Sequence, residues 1–175
     1  LIISEYIEGA GNDNKAIELH NCGAGAFDLT NFGVCLISNT NTACNATATL
    51  SATNLASGDV YTVCKSTSGD AVDAIKNDCD EEVSSVMNFN GNDRLIVFRD
   101  EDGDGSYDSS VDVLTDAFGQ PAVAPSGDPW KDKLFRRCDL TPYDATTAFD
   151  VSTYYNEYTP TETSDWGLAP TEACN

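Results

Sequence analysis

Short stretches in which apolar and polar residues alternate, separated by turn-forming residues, run through most of this 175-residue sequence. Successive side chains of a β-strand point to opposite faces of the sheet, so this alternation predicts half-buried strands. The predicted strands cover residues 1–7, 16–19, 32–38, 47–51, 60–64, 94–99 and 111–118. Residues 9–14 predict a hairpin-like loop between the first two. Many short strands at this spacing favour a sandwich or a barrel, and we expect one all-β domain over residues 1–175.

The sequence changes in character near residue 121. All six prolines lie from Pro121 onwards, and proline lacks the backbone N–H that the interior of a strand or helix uses. We therefore expect a Pro-rich C-terminal part of irregular segments laid over the sandwich, with one or two short strands around Leu134 and Val151. A short helix is predicted within residues 70–79. Because Leu1 already lies in a strand-like run, we expect a processed chain or a piece of a longer protein.

Seven cysteines and a single histidine limit the chemistry that this chain can use. No Cys-x-x-Cys pair occurs, so a thiolate metal centre is a poor explanation, and disulfides formed in an oxidising, extracellular compartment fit better. Sequential order predicts the pairs Cys35–Cys44, Cys64–Cys79 and Cys138–Cys174. Sequence alone cannot prove this connectivity, so other pairings stay open. Cys22 is left over, either buried or paired with another chain.

The net charge is −20, from 29 acidic and 9 basic side chains. Such a surface repels nucleic acid and anionic membranes, so neither is expected as a direct partner. The surface attracts divalent cations, although solubility alone also explains the charge. No apolar run approaches the ~18 residues that a membrane span needs.

The sharpest local motif is DEDGDGSYDSSVD at residues 100–112. Calcium prefers six to eight oxygen ligands, and a loop of spaced carboxylates with a glycine at its sixth position supplies them. With Asp100 as the first position, Gly105 is sixth and Val111 is twelfth, where an EF-hand has its bidentate glutamate. Asp112, one place later, is a substitute if no helix follows the loop. The predicted calcium ligands are Asp100, Asp102, Asp104, Ser106, Asp108 and Asp112.

An ordinary solvated acidic turn is the alternative for this loop, because Asp and Gly are common turn residues. Repulsion among so many carboxylates without a cation favours calcium. Magnesium fits less well, since it takes fewer protein ligands in a strict octahedral geometry. Predicted strands flank the loop, so the expected site is a calcium loop on a β-hairpin.

Candidates for catalysis are few. Glu5 and Glu18 lie on adjacent predicted strands, where a glycosidase could use such a pair. We interpret them as outward-facing strand residues that hydrogen-bond the loop at 11–14, with a second cation site left open. A nucleophilic Ser or Cys needs a neighbouring base, but His20 is the only histidine and no Gly-x-Ser-x-Gly elbow accompanies it. The sequence therefore predicts no hydrolase triad and no enzyme.

Four of the nine basic residues cluster late in the chain. They are Lys131, Lys133, Arg136 and Arg137. A small anion-binding patch beside Trp130 and Phe135 is one interpretation. A strand whose basic residues pair with the many acids of this chain is the favoured one.

Six segments, taken together and in this order, carry a resemblance to a known family. They are LIISEYIEGAGNDNKAIELHN at 1–21, DLTNFGVCLI at 28–37, FNGNDRLIVF at 89–98, VDVLTDAFG at 111–119, WKDKLFRRCD at 130–139 and YYNEYTPTETSDWGLAP at 154–170. The ordered set resembles the lamin-tail domain. The cysteines and the Asp-rich insertion depart from the nuclear lamin pattern and resemble its bacterial extracellular branch. The ending also departs, with Gly-Leu where the family more often has Leu-Gly.

The lamin-tail resemblance implies an immunoglobulin-like β-sandwich without intrinsic activity. Bacterial members of the family resemble modules attached to secreted nucleases, phosphatases or other surface proteins. A likeness at the level of the fold does not identify a ligand, so the resemblance leaves the partner open.

Three functions follow from the sequence. The first is a non-catalytic, calcium-stabilised extracellular module that mediates binding or attachment to a protein or an extracellular polymer. The second is a structural subunit of an extracellular fibre or surface assembly, in which sheet edges pair between copies or Cys22 cross-links them. The third is an accessory part of a secreted nuclease or phosphatase. A hydrolase that uses the acidic loop as its metal centre is disfavoured, because the loop contains no general base.

Overall fold

The computed structural model describes residues 1–51 and 54–174, and in them the chain folds mainly into β-strands. In chain order the strands are β1 (Ile2–Glu8), β2 (Lys15–His20), β3 (Phe27–Asp28), β4 (Phe32–Ile37), β5 (Ala46–Thr49), β6 (Asn54–Leu55), β7 (Val60–Cys64), β8 (Glu81–Glu82), β9 (Arg94–Arg99), β10 (Val113–Phe118), β11 (Lys133–Arg137) and β12 (Tyr155–Tyr158). Two short helices, α1 (Asp73–Asn77) and α2 (Val151–Tyr154), and a 3₁₀ turn at Leu29–Asn31 complete the regular structure of these residues.

The strands form two main sheets and a small separate pair. The larger sheet has six strands in the order β12-β11-β1-β2-β7-β8, and the smaller has four in the order β10-β9-β4-β5. β3 and β6 pair separately. Neighbouring strands are antiparallel except β7 and β8, which are parallel.

The main core lies between the two sheets. Tyr6 of β1 stacks on Phe118 of β10 with 4.0 Å between ring centroids, and on Phe89 with 4.8 Å. Val34 of β4 and Phe135 of β11 belong to the same buried cluster. Both sheets therefore turn apolar side chains towards one shared interior, and the predicted all-β sandwich is confirmed.

Irregular segments cover the outer faces of both sheets. On the six-stranded sheet, Ile7 and Leu134 are buried in a second cluster that includes Ile75 of α1 and Trp166 of the C-terminal segment. On the four-stranded sheet, a third cluster buries Phe98 with other apolar side chains, Tyr143 among them. The expectation that the Pro-rich part lies over the sandwich is confirmed. The burial explains why β1, β2 and β4 are buried along their whole length.

Most predicted strands form within one or two residues of their expected bounds, and the strand predicted at 94–99 coincides with β9. The short helix predicted at 70–79 forms as α1, with Ile75 buried. Of the one or two short strands expected around Leu134 and Val151, the first forms as β11. Val151 itself begins the helix α2, and the strand β12 follows at Tyr155. The side chain of Asp150 accepts a hydrogen bond from the Ser152 N–H, which is the helix N-cap pattern and favours a turn of helix here.

Three disulfides form among the described residues. They join Cys35 to Cys44, Cys64 to Cys79 and Cys138 to Cys174, the pairs that sequential order predicts. Cys22 is free and exposed, so the option of a buried Cys22 is wrong. The bridges indicate an oxidising environment.

A fully buried ion pair connects the two sheets. The Arg137 guanidinium on β11 donates from Nη1 to Asp116 Oδ2 on β10 at 2.9 Å, and both side chains have 0% exposure. The Asp116 carboxylate also accepts the backbone N–H groups of Ile3 and Tyr143, each at 2.8 Å. Arg137 donates in addition to the Tyr155 hydroxyl at 2.7 Å. Burial acts to lower the pKa of Arg137, but Tyr155 and Asp116 raise it above its ordinary value.

We predict that Asp116→Asn lowers the free energy of unfolding by about 3–5 kcal/mol, because the variant leaves the Arg137 charge buried without its partner. Chemical denaturation at neutral pH measures the loss. Glu157→Gln is the matched control: it removes the exposed Lys133–Glu157 pair, and such pairs contribute less than about 1 kcal/mol. An equal loss of unfolding free energy in the two variants would contradict a larger contribution from the buried pair than from the exposed one.

Candidate functional site

The acidic loop connects two paired strands. β9 ends at Arg99 and β10 begins at Val113, and these two residues face each other across the antiparallel pair. Gly103 and Gly105 adopt positive φ angles of 76° and 77°, a backbone region that L side chains seldom adopt. The loop therefore sits at the end of a β-hairpin, as its flanking sequence predicts.

Three of the six predicted ligands converge in this loop. Asp100, Asp102 and Asp112 each place a carboxylate oxygen so that the three atoms lie within 4.8 Å of one another. Calcium binds oxygens at about 2.3–2.6 Å, so atoms on opposite sides of one ion are about 4.8 Å apart. The three carboxylates are thus close enough to share a calcium ion.

Backbone N–H groups hold two of these three carboxylates, those of Asp100 and Asp112, in place. Asp100 accepts the N–H of Gly103 at 2.7 Å and that of Gly105 at 2.9 Å. Asp112 accepts the N–H of Glu101 at 3.0 Å and that of Asp108 at 2.7 Å. A carboxylate has about four lone-pair sites, so these bonds orient the groups and leave acceptor capacity for a cation.

The other predicted ligands lie in the loop but outside the converging group. Asp104 Oδ1 accepts the Ser106 N–H at 2.7 Å, and Asp108 Oδ1 accepts the Ser110 N–H at 2.8 Å. Both are side-chain turns of the kind that Asp forms with the residue two places on. The roles of Asp104, Ser106 and Asp108 as ligands stay predictions.

Like-charge repulsion within the loop acts on the pKa of Asp102. At Asp102 the N–H of Asp104 acts to lower the pKa, but partial desolvation and repulsion from Asp104, Asp112 and Asp100 raise it above its ordinary value. At Asp100 desolvation acts in the opposite direction to the N–H groups of Gly105 and Gly103, which prevail and lower the pKa. A cation would relieve the repulsion at Asp102.

The Glu5–Glu18 pair is buried, which corrects the expectation of outward, loop-bonded strand residues. The two residues are opposite each other on β1 and β2, with exposures of 3% and 0%. Glu18 accepts the Ser4 hydroxyl at 2.6 Å and the Gly167 N–H at 2.8 Å, and Glu5 accepts Arg136 Nε at 3.0 Å. The side chains do face outward from the sheet, but the C-terminal segment covers them.

Burial changes the acidity of both glutamates. Desolvation, reinforced by the charge of Glu18, raises the pKa of Glu5 to about 8, although Arg136 acts to lower it. Desolvation likewise raises the pKa of Glu18 to about 7, against the hydrogen bonds from Ser4 and Gly167. The folded protein therefore holds protons here at a pH where an exposed glutamate has lost its own.

We predict that this pair makes the protein less stable as the pH rises. Both pKa values are higher in the folded than in the unfolded chain, so the contribution is full below about pH 4.5 and is lost as the pH rises through about 7 and about 8. Each group lowers the free energy of unfolding by up to about 1.4 kcal/mol per pH unit over this range. Glu5→Gln should flatten the pH dependence measured by denaturation between about pH 5 and pH 8. Glu157→Gln should keep the wild-type slope, and a Glu5→Gln slope equal to it would contradict the assignment.

Most of the late basic cluster pairs with acids. Lys133 binds Glu157 at 2.8 Å, Arg136 binds Glu5, and Arg137 binds Asp116. These pairs support the salt-bridge interpretation of the cluster over the anion-binding patch.

His20 is buried at the end of β2, and desolvation lowers its pKa. It lies opposite Ile2 and Val60 on the neighbouring strands.

Three acidic residues that matter for these sites have no distinguishing signal in the sequence. Asp116 lies in an otherwise ordinary strand, and Asp165 and Glu172 lie in the irregular C-terminal segment. Both C-terminal acids approach Arg136 Nη1 to 3.5 Å. Asp116 is followed by Ala117 but preceded by the polar Thr115, so its immediate neighbours do not mark it as buried.

Neither protein-family models nor curated proteins nor solved structures match this chain significantly. The lamin-tail resemblance therefore rests on the ordered motifs themselves. None of the helices in the described part of the chain has the length and apolar character needed to cross a membrane.

Proposed function

We propose that this chain is a non-catalytic extracellular module of the immunoglobulin-like, lamin-tail kind, stabilised by calcium and used for attachment to a protein or polymer partner. The observation that carries the calcium proposal is the convergence of Asp100, Asp102 and Asp112 at the end of the β9–β10 hairpin. Three disulfides support an extracellular location. The ordered sequence motifs support the family.

Calcium would act here by holding the hairpin end together. Asp100 follows β9 directly and Asp112 precedes β10 directly, so an ion shared by the two links the strands at the loop end of the hairpin. Asp112 is nearly buried and lies where the loop returns to the sheet. An ion at this position neutralises repulsion within the loop and adds a crosslink that the unfolded chain lacks. This is a structural use of calcium, and it requires no substrate.

We predict that calcium raises the melting temperature and that excess chelator lowers it by several degrees, because a ligand that binds only the native state stabilises it. The response should disappear in Asp112→Asn and weaken at low pH, since protons compete for the carboxylates. Differential scanning calorimetry with and without chelator measures both effects.

Asp128→Asn is the control for this experiment, since it removes one exposed acid from a different loop and should keep the full calcium response. A melting temperature that does not change between excess calcium and excess chelator would exclude a stabilising calcium ion in the acidic loop.

A structural subunit of an extracellular assembly is the second candidate, and the exposed thiol of Cys22 favours it. A free surface thiol in an oxidising compartment can form a disulfide between copies. The edge strands of the two main sheets, which are β12, β8, β10 and β5, are further places where copies can pair.

We predict a calcium-loaded monomer if the protein is an attachment module, and oxidised dimers or larger species if it is an assembly subunit. Light scattering over a range of protein concentrations, with non-reducing electrophoresis, separates the two. Cys22→Ser removes covalent dimers but leaves edge pairing intact, so it distinguishes the two routes of association. A nuclease or phosphatase activity that Asp102→Ala abolishes would instead support a hydrolase.

A further inference from the structure

We infer that the cavity beneath the C-terminal segment 165–172, on the outer face of the six-stranded sheet, binds a primary ammonium group carried on an aliphatic chain. A lysine side chain and a free alkylamine both present this chemistry. The site is separate from the acidic hairpin loop, and the inference goes beyond the proposed function.

Polar side chains line the floor of the cavity, and apolar residues line part of its wall. Its volume is about 150 Å³, well above the roughly 10–15 Å³ that one water needs. Glu5, Glu18 and Arg136 form the polar floor, and Leu168, Ala169 and Pro170 form part of the wall. The disulfide from Cys138 to Cys174 ties the covering segment to the end of β11.

One buried acceptor in this cavity lacks a partner. Glu5 is 3% exposed, and its Oε2 atom has no hydrogen-bond partner within residues 1–51 and 54–174. The acceptors around it are occupied: Glu5 Oε1 by Arg136, and both oxygens of Glu18 by Ser4 and Gly167. A buried polar atom without a partner costs free energy. In the ionised form of Glu5, Oε2 is therefore free to accept a hydrogen bond from a ligand.

The charge around the cavity selects a cation. When Glu5 and Glu18 are ionised, four carboxylates face the guanidinium of Arg136, and they belong to Glu5, Glu18, Asp165 and Glu172. The neighbouring Arg137 does not alter this balance, because Asp116 binds it on the inner side of the sheet. An ammonium carries the missing positive charge and three N–H donors, and its bonds to carboxylates are about 2.7–2.9 Å long.

A metal ion fits this cavity less well than an ammonium. In the described residues the group of three acids with converging oxygens is the one in the hairpin loop, and the acids of this cavity do not form such a group. Calcium needs six to eight close oxygens, whereas an ammonium needs only separate, directed acceptors. Leu168 is 60% exposed beside the cavity, which gives an aliphatic stem an apolar surface to cover.

Ligand binding should be coupled to proton release. The groups that face Glu5 are Glu18, Arg136, Asp165 and Glu172, and a bound ammonium favours the ionised form of the two buried glutamates. With pKa values of about 8 and about 7, these glutamates are partly protonated at neutral pH. Affinity should therefore rise as the pH rises from about 6 to about 8.

Isothermal titration calorimetry of the full chain tests the inference with two probes, N-acetyl-lysine methylamide and n-butylamine. Both should bind with release of protons, measured from the dependence of the heat on the ionisation enthalpy of the buffer. Tighter binding of the lysine derivative points to a peptide source, and equal binding to a free amine. The ε-N-acetylated lysine derivative lacks the charge, and its affinity should be lower by a factor of roughly ten or more.

Two variants and a control connect binding to the cavity. Glu5→Gln keeps the shape of the side chain and should weaken both probes roughly tenfold or more. Glu172 lies in a more exposed part of the cavity lining than Glu5. Glu172→Gln therefore tests binding at the same cavity even if Glu5→Gln does not fold. Glu157→Gln, on the exposed part of β12, should leave the affinity unchanged.

Three results would overturn the inference. One is the absence of heat with either amine up to concentrations on the order of 10 mM. Another is binding of the ε-acetylated derivative equal to that of the free amine. The third is an affinity unchanged in both Glu5→Gln and Glu172→Gln.

Discussion

The buried pair of Asp116 and Arg137 is the interaction on which the arrangement of the two sheets depends. Its carboxylate comes from the four-stranded sheet and its guanidinium from the six-stranded sheet, so the charges meet only when the sheets are correctly stacked. Apolar packing alone is tolerant of small shifts, whereas an unpaired charge in the interior is expensive. The pair also binds the N–H of Ile3 and that of Tyr143, which fixes the start of β1 and the segment over the second sheet.

The two outer faces of the sandwich are covered by other parts of the chain. A surface sheet of a small protein normally exposes one face to water, but here Trp166 and Tyr143 lie over the two outer faces. Charged strand residues that would be solvated are consequently buried. Glu5, Glu18 and Arg136 form a network beneath the C-terminal segment, and the raised pKa values of the two glutamates follow from that cover.

The two acidic sites of the protein differ in the way that they are built. In the hairpin loop, residues near in sequence converge on one point, and short turns with backbone N–H groups orient them. In the cavity, the acids come from β1, β2 and the C-terminal segment, and they surround a space without converging on one point. The first geometry suits a bare divalent ion, and the second suits a larger cation with directed donors.

The strands and the acidic hairpin could be predicted from the sequence, because alternation and turn chemistry act over a few residues. Sequential order predicted the disulfide pairs but did not exclude other pairings, since Cys138 and Cys174 are 36 residues apart. The sequence did not show that the converging acids of the loop are Asp100, Asp102 and Asp112, or that Val151 begins a helix. Tertiary structure alone decided the burial of Glu18, whose partner Gly167 is 149 residues away. It also decided the pairing of Asp116 with Arg137. A strand residue that points away from the core is exposed to water only if no distant segment folds over it. The alternation of apolar and polar residues within a strand does not predict such a contact.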